Sequence, residues 1–509
     1  MIFLEKMKKK DGNKKPEVIF DRMVPFITGA FFCFLLVFFG VGQYPDSETY
    51  LHYYSDREPL YPLFLKVCRM AAGDAHVLWA AVIFQNVLAF FCFWYLYRFI
   101  TRQFQLNLLF RIAVLLIILM PHLMTSVFTS SGIVLTNAIL SEGLTVSLYP
   151  LFATILFEAF YREKKGRFLA ASYIVALLLA LARGQLMTML LVWLLVSAAI
   201  IVREWILLRK SQEQSRSAQP TEKSHRSAQS GRVCAISILA LFLLTIAGFV
   251  IRQSVIHVYH SAMTDGRIRS NTGANVTLLT NVLYCADEQA VLKAADTLSE
   301  TDAQLLRGLY AQMRSEKLCA SDAGDGFHAR IWHHEDSHDK IKFDILGEYL
   351  RMAAWAERET LPESAEDGSE IRVIMDKTGG RLMKALLPHC IGSYLTTYLY
   401  VAAGGFVRTV SLLSPVFSIY ALFIYAAAVV LMCVLFRKAQ GRAAAWLMAI
   451  VLLMTAANVC ATALTIMCLS RYMIYNMSLF YLAGLVCVWE AYRIRRGGTS
   501  GAEICTQPE

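Results

Sequence analysis

The residues best suited to chemistry in this chain are charged side chains that gather at the ends of apolar segments. Asp46, Glu48, Asp56, Arg57 and Glu58 follow the first apolar stretch, and Glu142 opens the fourth. Arg183 follows the fifth, and Arg471 stands between the last two. Tyr61 and Tyr472 lie close to them in sequence. Ionisable groups near hydrocarbon are costly and tend to be functional. The middles of the spans hold almost none except His122. A proton-coupled transporter usually places carboxylates near the midplane, often on paired broken helices. Carboxylates and guanidinium groups collected at one depth point instead to chemistry at an interface.

The elements that must position these groups are long and apolar. The chain has 509 residues and is 56% hydrophobic, with a mean hydropathy of +0.47, above the roughly 45–50% apolar content of soluble domains. Stretches such as Phe31–Val41, Ala235–Ile251 and Ala443–Met467 carry almost no charge. In lipid each backbone group needs an internal partner, so runs near 20 residues read as helices. Spans are predicted near 23–43, 77–97, 112–128, 138–160, 168–182, 186–206, 233–251, 415–436, 443–467 and 473–491. The fifth is short and is followed after Arg183-Gly184-Gln185 by the sixth, as a tight hairpin or one long bent helix. With the N-terminus inside, the cytoplasmic segments hold 27 Lys and Arg and the short outer segments hold 5. That bias predicts an all-α polytopic membrane protein of about ten helices with both termini in the cytoplasm. The net charge of +10 reflects the same bias and implies no nucleic-acid partner. The basic stretch Lys6 to Lys15 precedes a full-length span without a small-residue cleavage site, so it reads as a cytoplasmic anchor.

Five regions follow from this layout. Residues 1–208 form an N-terminal transmembrane half that carries the first outer loop, 44–76. Residues 209–232, rich in Ser, Gln and Arg, read as a disordered cytoplasmic linker, and 233–251 is the seventh span. Residues 252–414 form a large, mostly helical outer loop domain, and 415–509 hold the last helices and a cytoplasmic tail. Within the loop domain, Ser299 followed by Asp302 marks a helix start with an amphipathic run to Lys317. Lys342–Arg358 is a second helical candidate, and Leu386–Val407 is apolar enough to lie on or dip into the outer leaflet. Of twelve Cys, most sit singly in spans as small apolar residues. Cys285 and Cys319 could pair if the loop faces an oxidising space. His328, His333, His334, Asp336, His338 and Asp339 resemble a metal cluster in type, but their spacing fits no zinc pattern and reads as an exposed polar loop. Asn275-Val276-Thr277 is a formal glycosylation sequon, of little meaning in the bacterial plasma membrane that the composition suggests.

The local sequences carry a resemblance. After the first span come Tyr44-Pro45-Asp46-Ser47-Glu48-Thr49-Tyr50 and then Arg57-Glu58-Pro59-Leu60-Tyr61-Pro62. Later come Leu140-Ser141-Glu142-Gly143-Leu144, Leu181-Ala182-Arg183-Gly184 and Ser470-Arg471-Tyr472. In this order the chain resembles the GT-C glycosyltransferases, particularly the protein O-mannosyltransferase and aminoarabinose-transferase branch, over roughly 20–205 and 415–491. It departs in separating its two acids as Asp46-x-Glu48 and in having Gly184 where the family has Pro. The resemblance implies transfer of a sugar from a polyprenyl-phosphate donor to an extracytoplasmic hydroxyl on a protein, lipid or wall polymer, with inversion. It implies Asp46 as general base with Glu48 as the second acid, and Arg471 on the lipid phosphate with Arg183 as a further candidate. Glu142 would orient Arg183, bind sugar or ligate a metal; Arg57 and Tyr61 would shape the donor groove, beside Tyr472. The motifs require no definite cofactor and leave room for a divalent metal. Two other classes remain open. A transporter or flippase predicts an internal repeat and a midplane polar site, neither of which is visible. A surface-polysaccharide polymerase or ligase predicts a long outer loop rich in Arg and His, which 252–414 partly satisfies.

Overall fold

Apolar runs of this length satisfy their backbone only as helices, and helices are what they form. The computed structural model describes residues 16–128, 132, 134–162, 165–215, 223–264, 266–358 and 368–497. Among them there is no strand, only one isolated bridge between Gly42 and Ala138. The helices are α1 (Pro16–Phe39), α2 (Ser47–Leu51), α3 (Leu60–Ala72), α4 (Val77–Gln103), α5 (Leu108–Phe128) and α6 (Glu142–Glu158). They continue as α7 (Lys165–Ala182), α8 (Thr188–Ser215), α9 (Lys223–Met263), α10 (Ala274–Cys285), α11 (Glu288–Ala295) and α12 (Glu300–Ser315). The last are α13 (Phe327–Asp339), α14 (Gly347–Arg358), α15 (Gly368–Val410), α16 (Pro415–Phe436), α17 (Arg442–Thr465) and α18 (Ser470–Arg495).

Ten described helices are long and apolar enough to cross a membrane, which makes the chain a multi-pass helical membrane protein. They are not quite the ten expected. Helix α6, read as the fourth span, has 17 residues, and all but Leu151 and Ile155 are buried. Its place in the count is taken by 370–410, most of α15. Around α6 the bundle supplies protein on nearly every side, so it needs no lipid face. Elsewhere the large apolar side chains point outward: Val37, Phe38, Leu109, Leu422 and Phe423 are all exposed, as a hydrocarbon solvent requires. The fifth and sixth spans are two separate helices, α7 and α8. Arg183 between them is extended, at φ −151° and ψ 130°, and ends α7. The linker expected at 209–232 carries helix at both ends, in α8 to Ser215 and in α9 from Lys223; residues 216–222 lie outside the described residues.

The loop domain comprises α10–α14 and the first half of α15, built on a small core with Leu283, Leu306, Leu309, Ile345, Leu350 and Leu386. Its helix starts are written locally. Asp287 accepts from the Ala290 amide at 2.8 Å, and Ser299 from the Asp302 amide at 3.2 Å, opening α12 where expected. The candidate helix at 342–358 is in fact a π-helical turn, Lys340–Leu346, running into α14. Pro388 and a non-helical Cys390 (φ −123°, ψ 16°) kink α15. Beyond the kink, the stretch read as leaflet-associated lies along α17 and α18. Tyr394 donates to the Leu464 carbonyl at 2.8 Å, and Arg408 to that of Cys468 at 3.0 Å. Cys285 and Cys319 are both free thiols buried in the loop-domain core, so no disulfide joins them.

The histidine cluster is not an exposed loop. It lies on α13, with His334 and His338 buried; His338 meets Asp339 at 3.2 Å within the cluster, while three of its histidines reach separate partners outside it. His328 meets Ser418 at 2.8 Å, His333 meets Tyr284 at 3.0 Å, and His334 meets Asn281 at 3.2 Å. Helical spacing spreads these side chains around the axis instead of converging them. Burial, then His338 and His333, pushes the His334 imidazole down to about 3. The folded domain therefore holds it neutral, whereas the unfolded chain binds a proton below about pH 6.5. Stability of the loop domain should fall by up to about 1.4 kcal/mol per pH unit between those limits. Amide exchange across α13, measured from pH 7 to 4, checks this; His334→Gln should flatten the dependence, and an unchanged slope would refute the assignment.

Candidate active site

The site grows from the segment between α1 and α3 and the one leading into α6. The Gly42 amide donates to the Asn137 carbonyl at 2.9 Å, and the Ile139 amide to the Gly42 carbonyl at 2.9 Å. The Asn137 side chain donates to the carbonyls of Leu35 and Gly40, each at 2.8 Å, which satisfies the open end of α1. From α4, Gln85 donates to the carbonyls of Thr136 and Ala138 at 3.0 Å and accepts from the Tyr61 hydroxyl at 2.8 Å. Gly143 permits this approach: a Cβ there would lie 2.5 Å from Gln85 Nε2. Irregular backbone at this depth persists only when protein groups satisfy it. Gln85→Leu strands these partners and should cost about 1–3 kcal/mol. A thermal melt in detergent reads the loss, and an unchanged midpoint would contradict the scaffold role.

On this scaffold five of the expected residues become one ionic chain. Asp46 precedes α2 but does not cap it with its side chain. Its carboxylate instead lies 2.9 Å from Arg57 Nη2 and 3.4 Å from Arg471 Nη2. Arg471 Nε stands 4.0 Å from Glu142 Oε1, which meets Arg183 Nη1 at 2.6 Å. Arg471 also donates to the Tyr472 hydroxyl at 2.6 Å, and the Arg183 guanidinium lies 4.5 Å from the centre of the same ring. Arg57 is fixed by Thr49 at 2.7 Å and lies over the Tyr50 ring. Tyr50 in turn meets Ser141 at 3.1 Å and packs edge-on against Tyr61. Exposure grades along the chain: the Glu142 side chain is 4% exposed, Arg471 23% and Asp46 37%. The inner pair is thus locked, and the outer carboxylate meets solvent.

Burial works against the charges of Arg57 and Arg183. Tyr50, Asp56 and Asp46 outweigh it at Arg57, and Glu142 foremost at Arg183, so both guanidinium groups are held above the ordinary arginine value. Glu58, next to Arg57 in sequence, pairs with Arg252 of α9, which also donates to the Ala180 carbonyl at 3.1 Å. That pair ties the first loop to α7 and α9. Glu48 behaves differently. It is exposed and pairs with His52 at 3.3 Å, and no described ion pair joins it to the chain around Asp46.

The loop domain covers the same end of the bundle. Ser55 and Thr272 hydroxyls meet at 2.6 Å, and the Thr272 amide donates to the Ser55 carbonyl at 2.8 Å. Arg372 of α15 lies 3.8 Å over the Tyr54 ring and 3.9 Å from Asp56. Asp339 and Lys342 add their charges: Asp339 is in electrostatic reach of Arg471, and Lys342 of Asp56, Arg57 and Asp46. Sequence reasoning missed Gln85, Asn137, Arg372 and Lys342. The adjacent Gln85-Asn86 pair inside an apolar helix was the one available signal. It also missed the opposite end of the bundle. There Tyr97 donates to Asp21 at 2.8 Å, Asp21 pairs with Arg111, and Glu158 pairs with Arg162 at 2.8 Å. His122 lies mid-bundle, edge-on to Phe93 at 4.8 Å, beside a small cavity that Tyr475 and Ser478 also line. Among the described residues, no three His, Cys, Asp or Glu gather as metal ligands.

Fold and site together define a multi-pass membrane protein with a partly buried ionic chain at the end of the bundle that its loop domain covers. Comparison with family models, curated proteins and solved structures gives no match to this chain.

Proposed function

We propose that this protein is a glycosyltransferase that moves a sugar from a polyprenyl-phosphate donor to an acceptor hydroxyl on the extracytoplasmic side of the bacterial plasma membrane. The observation that carries the reading is Asp46, a half-exposed carboxylate held between Arg57 and Arg471. A base and the cations for a departing anion stand side by side, at the end of an apolar bundle where a lipid donor would present its head group.

The chemistry runs as a single displacement. Asp46 takes the proton of the acceptor hydroxyl, whose oxygen attacks the anomeric carbon in line with the leaving group. The bond from that carbon to the phosphate oxygen breaks, and its electron pair leaves on the lipid phosphate. The phosphodiester, with one negative charge, becomes a phosphate monoester with up to two. Cations poised where that charge develops lower the barrier, and this is the role assigned to Arg471, with Arg57 beside it. Glu142 and Arg183 keep Arg471 in place through the buried pair at 2.6 Å. Tyr472 supports both guanidinium groups. Tyr61 shapes the wall beneath Tyr50, and Glu48 takes no part in the displacement. The acceptor is a hydroxyl of a protein, lipid or wall polymer.

Purified protein in proteoliposomes with a radiolabelled polyprenyl-phosphate sugar and a membrane extract as acceptor tests the reading. Release of free polyprenyl phosphate together with labelled product is expected. Intact donor after prolonged incubation would contradict it.

A further inference from the structure

The π-helical turn Lys340–Leu346 of the loop domain carries Lys342, which lies in electrostatic reach of the site. Such turns are rare and are found mostly at functional sites, because the extra residue re-aims side chains that a regular helix would place elsewhere. Here Lys342 has Asp46, Asp56 and Arg57 of the first loop within electrostatic reach, together with Asp339 of its own domain. Its neighbours are already engaged. Arg57 holds Asp46 and Thr49, Arg471 holds Asp46 and Tyr472, Arg183 holds Glu142, and Arg372 lies on Tyr54. The Lys342 ammonium makes no hydrogen bond or close ion pair with any described residue. Its Nζ lies over the Phe343 ring at 5.2 Å, a contact that any lysine can exchange for an anion.

The charge balance points the same way. Arg57, Arg183, Arg471, Arg372 and Lys342 face Asp46, Asp56, Glu142 and Asp339, an excess of one positive charge. One singly charged anion neutralises it. A partly buried ammonium without a close counter-ion is costly, and burial first of all lowers the Lys342 pKa below the ordinary lysine value. An arriving phosphate oxygen would relieve that cost, whereas an uncharged alcohol would not.

We propose that Lys342, carried by the π-helical turn of the loop domain, binds the phosphate of the lipid donor together with Arg57 and Arg471, so that the loop domain contributes directly to the donor site. The chemistry recognised is a phosphate oxyanion; its identity as a lipid phosphate rests on the glycosyltransferase reading.

The experiment uses the full chain in nanodiscs with three probes: polyprenyl phosphate, the matching polyprenol and inorganic phosphate. Polyprenyl phosphate should bind at least tenfold more tightly than polyprenol. Lys342→Gln should weaken it about tenfold, and Lys342→Arg should restore most of that loss. In the transfer assay Lys342→Gln should raise KM for the donor about tenfold and leave kcat within about twofold, a split that a folding defect would not produce. Lys342-dependent binding of polyprenyl phosphate without any sugar transfer would uphold this inference and sink the glycosyltransferase reading alone. Equal affinity of wild type and Lys342→Gln, or inorganic phosphate binding as tightly as the lipid phosphate, would overturn the inference.

Discussion

Replacing Asp46 by Asn should lower sugar transfer by about 10²–10⁴, the usual worth of a positioned general base, while the protein melts within a few degrees of the wild type. Asn keeps the size of Asp and can still accept from Arg57 through its amide oxygen, so the first loop retains its geometry. What it loses is the capacity to take a proton. The stability cost is small because the Asp46 side chain is 37% exposed and its partners Arg57 and Arg471 are each 23% exposed. Ion pairs screened to that degree contribute about 0–1 kcal/mol. Activity and stability therefore separate in this variant. Wild-type transfer rates in Asp46→Asn would remove Asp46 from the mechanism, whatever the melting temperature.

Replacing Arg183 by Met should do the reverse in proportion. The Glu142 and Arg183 side chains are only 4% and 10% exposed and meet at 2.6 Å. Removing Arg183 leaves the buried carboxylate with only the more distant Arg471, at 4.0 Å, a loss of up to about 3–5 kcal/mol. The melting temperature should drop steeply, and transfer should fall with it because Arg471 loses its neighbour. The double variant Glu142→Met with Arg183→Met should melt above Arg183→Met alone, since replacing both charges removes the uncompensated one. Melts of the two variants side by side decide this. If the double variant is the less stable, the pair is not acting as a buried couple.

How far these features could be read beforehand depends on the range over which each is encoded. The Ser299 cap opens α12 through a contact three residues away, and the break at Arg183 is local too. Both were visible in the chain. The grouping of Asp46, Arg57, Glu142, Arg183 and Arg471 was anticipated because successive spans alternate in direction, which brings these particular ends of the apolar runs to one depth. Glu48 shared that depth but not the direction. Two residues beyond Asp46 along α2, it is turned well away around the helix, and it pairs with His52 in solvent. Hydropathy measures how apolar a helix is, not what surrounds it, so the enclosure of α6 by protein could not be read from the chain. The pairing of Asp21 with Arg111 spans 90 residues, and only the packing of α1 against α5 brings it about. Lys342 was equally hidden, since nothing in Lys340–Leu346 announces a π-helical turn.

The central claim is that Asp46 drives consumption of a lipid-linked sugar. The most direct measurement is the pool of polyprenyl-phosphate sugars in a strain lacking this protein, quantified by mass spectrometry alongside its surface glycans. One lipid-linked sugar should accumulate while one surface glycan loses that sugar, with both restored by the wild-type chain and neither by Asp46→Asn. Unchanged lipid and glycan profiles, or full restoration by Asp46→Asn, would contradict the account.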